Sequence, residues 1–109
     1  MGRNSKDNSL ARYEEVIKIS VRYNDFISHP RFRFSLGSVN RMSNNQALNY
    51  VRNVRKALDN LKKEDKNIIF QEFFNEKAEL LWWRKHYTKS TYYRKRGNAI
   101  KHFLESYAQ

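Results

Sequence analysis

Along residues 10–27 the apolar positions Leu10, Tyr13, Ile17 and Val21 recur at steps of three and four, and Val16, Ile19, Tyr23 and Phe26 widen the stripe. That period marks one buried helical face. A helix is therefore predicted over 10–27, with Ser9 as its N-cap and Pro30 beyond its end, where a residue without an N–H cannot continue it. Residues 1–8 are polar and predicted to be disordered. From 28 to 45 the period is lost in SHPRFRFSLGSVNRMSNN, which predicts a basic loop, long for a small domain. Within it Phe32, Phe34 and Leu36 alternate with polar residues and could pin the loop to the core, a short strand being the alternative.

The helical period then returns. Ser43 and Gln46 fit a capping box, and Leu48, Val51, Val54, Leu58 and Leu61 mark one face of a second helix. After the KKED break, Ile68, Ile69, Phe73 and Phe74 form the apolar side of a third, with Glu64 and Asp65 near the positive end of its dipole. Asn75 is placed to cap a fourth helix over 76–85 that buries Ala78, Leu81 and Trp82 and leaves Trp83 more exposed. The run HYT is then a turn, and Thr88 caps a fifth helix over 89–106. On that helix Tyr92, Ala99 and Phe103 share the inner face at offsets of seven and eleven, flanked by Ile100, Leu104 and Tyr107. The expectation is an all-α chain of about five helices.

Composition changes this picture in three ways. With 109 residues, 39% hydrophobic and 15% aromatic, the chain can bury one core, so 1–109 is expected to be a single domain. The absence of cysteine excludes disulfides, thiolate zinc sites and cysteine nucleophiles. No apolar run approaches the roughly 18 residues of a membrane span and the N-terminus lacks a signal-peptide core, so a soluble, cytoplasmic protein without membrane contact is expected.

Charge is the strongest global fact: +11 overall, with a pI near 10.1. Its distribution is patterned, +1 over residues 1–27, +6 over 28–56, −2 over 57–76 and +6 over 77–109. Two basic blocks around an acidic one imply directed contact with a polyanion, of which nucleic acid is the first choice. The acidic group Asp59, Glu64, Asp65, Glu72 and Glu76 has no calcium-loop spacing, and is expected to be a solvated face or a surface for RNA polymerase.

The predicted last helix supplies the means of contact. Opposite its inner face lie Lys89, Ser90, Tyr93, Arg94, Gly97, Asn98 and Lys101. Arg matches the acceptor edge of guanine, Asn that of adenine, and Lys and Ser suit phosphates. The expected base or groove contacts are Lys89, Ser90, Tyr93, Arg94, Gly97 and Asn98, and the expected phosphate contacts are Arg31, Arg33, Arg41, Lys85, Lys95 and Lys101. Gly97 costs about 1 kcal/mol mid-helix relative to Ala, and either permits close approach of a helix or of DNA backbone or is a tolerated surface residue. His29, His86 and His102 show no zinc-ligand spacing and are expected at the surface or in contact with phosphate. With no phosphate-binding glycine loop and no G-x-S-x-G, neither an enzyme nor any cofactor or metal is expected.

In Leu61, the KKED break, Ile68, Ile69 and LLWWRKHYTKSTYYRKRGNAIKHFL, residues 46–107 resemble region 4 of sigma factors. The chain as a whole is similar to the ArpU and RinA-like phage transcriptional regulators, with Thr88, Thr91, Tyr92, Arg94 and Ala99 at the cap, first-turn and packing positions of the helix-turn-helix. His86 stands where such modules commonly have Gly, and Trp82 where a small residue is usual. The resemblance implies a late-gene activator acting on double-stranded DNA in the bacterial host cytoplasm. RNA polymerase is a candidate second partner and a homodimer a candidate assembly. A DNA-packaging component like a small terminase subunit, or a sigma-like polymerase accessory factor, are the alternatives.

Overall fold

The computed structural model describes the backbone of residues 2–28 and 42–109 and the side chains of 8–28 and 46–109. Among the described residues, four α-helices, a π-helical turn and a 3-10 turn make up an all-α architecture with no strand. The first helix, α1, spans Gly2–Ser28 and so begins well before the expected Leu10. Its buried residues are Val16, Ile19, Ser20 and Tyr23, with Tyr13, Phe26 and Ile27 packed at the margins.

Three residues of the expected stripe face outward instead: Leu10 is 60% exposed, Ile17 36% and Val21 61%. Both sets have helical spacing, so periodicity alone does not choose between them. The choice is made by partners. The Tyr23 ring meets Phe74 edge-on at 5.3 Å and its hydroxyl accepts from Arg55 Nε at 3.0 Å, while the Ile19 carbonyl accepts from the Tyr50 hydroxyl at 3.1 Å.

Helix α2 spans Met42–Asp59. The side chain of Ser43, and with it the expected capping box with Gln46, lies outside the described residues. Ala47, Val51, Val54, Ala57 and Leu58 are its buried ridge. Helix α3, Lys63–Ile69, carries Glu64 and Asp65 in its first turn as anticipated. It then widens into the π-helical turn Phe70–Phe74, closed by the Asn75 N–H donating to the Phe70 carbonyl at 2.8 Å.

The expected helix over 76–85 is absent. Asn75 Oδ1 accepts from the Lys77 N–H at 3.0 Å, which closes a local turn, the usual competitor of a helix start. Leu81 then adopts left-handed backbone, φ 60° and ψ 36°, which no continuing right-handed helix can contain. Only the 3-10 turn Trp82–Lys85 follows.

The last helix, α4, spans Lys89–Tyr107, and Thr88 caps it as the sequence predicts, Oγ1 accepting from the Thr91 N–H at 3.4 Å. It packs against α1, α2 and α3 together. Tyr92, Ala99, Ile100 and Phe103 are buried in it, and Phe103 is fully enclosed. Truncating such a ring to Ala costs about 3–5 kcal/mol. Ser106 Oγ donates to the Ala57 carbonyl at 3.0 Å, fixing the far end of α4 to α2.

Candidate nucleic-acid interface

Successive residues on an α-helix are about 100° apart, so α4 divides into an inner ridge, two shoulders and an outer face. The ridge starts at Tyr92, 1% exposed, whose ring is stacked on Trp83 at 4.7 Å with 6° between planes. Trp83 is thus the core indole, the reverse of the expected assignment. Without a helix over 76–85, the left-handed Leu81 and the tighter 3-10 turn set a different rotation, and Trp82 is left half-buried with its ring edge-on to Tyr92 at 5.6 Å.

One shoulder carries Arg96. Its guanidinium lies 4.6 Å from the Tyr13 ring of α1 and 4.7 Å from that of Tyr93, and Nη1 reaches Glu72 Oε2 at 3.5 Å. Cation–π contacts of this kind contribute about 0.5–2 kcal/mol as water is excluded. Glu72 also accepts from the Tyr92 hydroxyl at 2.6 Å and from Trp82 Nε1 at 3.4 Å. Burial, then the hydrogen bond to Glu72, pushes the Tyr92 hydroxyl far above the usual tyrosine range, so it is a constant donor.

The other shoulder carries Lys95 and His102, and the first turn of α3 meets both. Glu64 accepts from Lys95 Nζ at 3.2 Å and from the Tyr87 hydroxyl at 2.9 Å. The Tyr87 hydrogen bond, followed by Lys95, holds the Glu64 carboxyl below its ordinary value. Asp65, 6% exposed, lies 2.6 Å from His102 Nδ1. His102, its side chain 42% exposed, is therefore at the surface and at the same time the partner of a buried carboxylate, whereas His86 is exposed.

These contacts divide the acidic block. Asp65 is buried and Glu72 half-buried against α4, while Glu64, Asp59 and Glu76 are exposed: Glu64, Asp65 and Glu72 each hold a side chain of α4, and Asp59 pairs with Lys66 at 2.8 Å. Lys95, expected as a phosphate contact, is engaged with Glu64 on a shoulder of α4. Arg96, Tyr13, Glu64, Asp65 and Glu72 were missed as residues that position the face. The available signal was the complementary sign of the 57–76 and 77–109 blocks.

The outer face stands as the sequence placed it. Lys89, Ser90, Arg94, Gly97, Asn98 and Lys101 are exposed, and Tyr93 is 42% exposed beside Arg96. Among the described residues Lys89, Arg94 and Lys101 make no ion pair. A Cβ built on Gly97 meets no atom within 4 Å, so among the described residues no helix closely approaches it. Lys85, with Arg84, is exposed on the 3-10 turn before α4. Arg31, Arg33 and Arg41 lie outside the described residues. Among the described residues no group of three or more metal-ligating side chains comes together, and no helix is long and apolar enough to cross a membrane.

The site belongs to an all-α globule presenting one basic, polar helix face. No family model, curated protein or solved structure matches the chain.

Proposed function

We propose that this chain is a sequence-specific DNA-binding transcriptional regulator that inserts the outer face of α4 into the major groove of duplex DNA. The observation that carries this reading is the division of labour on α4. Its shoulder cations Lys95 and Arg96 pair with Glu64 and Glu72, while Lys89, Arg94 and Lys101 point outward without an acidic partner among the described residues. A helix of about 10–12 Å diameter fits a major groove of about 12 Å. From Ser90 to Lys101 the face extends roughly 16 Å at 1.5 Å per residue, enough to follow about five base pairs.

In this arrangement Arg94 and Asn98 address base edges, Tyr93 offers a ring to a thymine methyl, and Lys85, Lys89 and Lys101 engage phosphates on either side. The support for α4 comes from α3 and the Trp82–Lys85 turn in place of a helix over 76–85, a departure from the short-turn helix-turn-helix. The resemblance to ArpU and RinA-like regulators favours a phage or prophage late-gene activator as the biological setting.

Selection of bound duplexes from a random pool at fixed salt tests the proposal. A short consensus supports it, and its absence overturns it. Given a consensus, Arg94→Ala should cost about 1–3 kcal/mol and relax preference at one or two positions, whereas Lys101→Ala should weaken all sequences alike and lower the salt slope by about one.

A further inference from the structure

The row of α1 side chains that the fold leaves outside is itself ordered. Leu10, Ile17 and Val21 form an apolar stripe exposed to solvent, and Glu14 and Lys18 lie beside it, both exposed and unpaired among the described residues. Leu10, Glu14, Lys18 and Val21 come in an order that reversal reproduces with charge inverted: apolar, acidic, basic, apolar. Laid antiparallel on a second copy, Leu10 faces the copy's Val21 and Glu14 faces its Lys18. The two-fold axis repeats both contacts, and Ile17 lies next to it.

We infer that this face of α1 is a self-complementary interface through which two copies of the chain associate antiparallel. Global charge points to the same occupant. Two chains of net +11 repel, and they can meet most cheaply where charge is low. Residues 1–27 carry only +1, against +6 in each of the two basic blocks, and the acidic side chains of α3 are already spent on α4. A parallel pairing would oppose Glu14 to Glu14 and Lys18 to Lys18, so charge selects the antiparallel one.

The interface is independent of the DNA reading, and its test uses the full chain without DNA. Sedimentation equilibrium over a range of concentrations should show a reversible monomer–dimer equilibrium. Val21→Asp should weaken the dimer about ten-fold or more by burying a carboxylate in the stripe. Because Val21 is exposed, the thermal midpoint of the monomer should stay where it is. Glu14→Lys and Lys18→Glu should each weaken association by about ten-fold, since two attractive contacts become two repulsive ones. The exchange of both in one chain should bring the dimer back to within about three-fold of its original strength.

A chain that stays monomeric at all concentrations overturns the inference. So does a dimer that tolerates Val21→Asp, which would place the interface elsewhere, for instance on residues 29–41. Failure of the double exchange to restore association overturns the antiparallel register.

Discussion

Glu72 receives hydrogen bonds from three side chains, and replacing it by Leu exposes the energetics of the whole shoulder. The Tyr92 hydroxyl is buried and has its 2.6 Å bond to Glu72 as its polar contact. A buried donor stripped of a charged acceptor costs about 1–3 kcal/mol. The Arg96 contact, at 3.5 Å between side chains that are each 22% exposed, adds at most about 1 kcal/mol. Trp82 at 3.4 Å is too long to count for more than a few tenths. Glu72→Leu should therefore destabilise the fold by about 2–3 kcal/mol, a fall in Tm of roughly 10 °C for a chain this size.

Urea unfolding is the assay, followed by the fluorescence of Trp82 and Trp83, whose rings lie against Tyr92. Tyr92→Phe alone should cost about 1–2 kcal/mol, and the double variant should cost less than the sum by about 1 kcal/mol, because no donor remains to be orphaned. Glu72→Gln, which keeps an acceptor oxygen, should recover most of the loss. Additivity of the two single variants within about 0.3–0.5 kcal/mol would refute the idea that this bond holds α4.

Four further outcomes follow from other positions. Gly97→Ala should raise stability by up to about 1 kcal/mol, since its added methyl meets open space; a simultaneous loss of duplex affinity in a titration would show that DNA backbone comes close there. Leu81→Gly should relieve about 1 kcal/mol of left-handed strain, measurable as a higher urea midpoint. Tyr50, pushed by burial and then by Tyr107 from 10.0 to about 12, stabilises the neutral form in the fold; its contribution is complete below pH 10 and disappears as pH climbs from 10 through 12, so Tyr50→Phe should flatten that part of the stability profile. Glu64, lowered from 4.5, works in the opposite sense: its contribution is present above pH 4.5 and fades as pH falls below it, and Tyr87→Phe should reduce the acid sensitivity seen by circular dichroism.

The sequence announced α4 clearly because three signals agreed there: a capping Thr88, an unbroken helical period, and an inner face separable from an outer one. The segment before it misled because Ala78, Leu81 and Trp82 imitate a helical stripe. Leu80–Leu81 and Trp82–Trp83 are each pairs of neighbours, and which member turns inward depends on the distant Tyr92 ring, not on local spacing. The expected face of α1 was too broad for the same reason: it held two apolar sets, and Tyr50, Arg55 and Phe74 buried only the one with Val16, Ile19 and Tyr23. The acidic grip on α4 was legible only as block charge. Linking Glu64 to Lys95, Asp65 to His102 and Glu72 to Arg96 requires the packing of α3 on α4, which no single helix encodes.

Those three acidic anchors have a consequence for how such a chain could change its preference. They index α4 about its own long axis: a slip of one residue would swing every partner by about 100° and part all three contacts at once. Rotation is thereby locked by contacts on the two shoulders of the helix, and substitution at Arg94, Asn98 or Lys101 on the outer face leaves the lock untouched. Under the proposed DNA reading, the specificity of the outer face can drift while the bearing of the helix stays fixed.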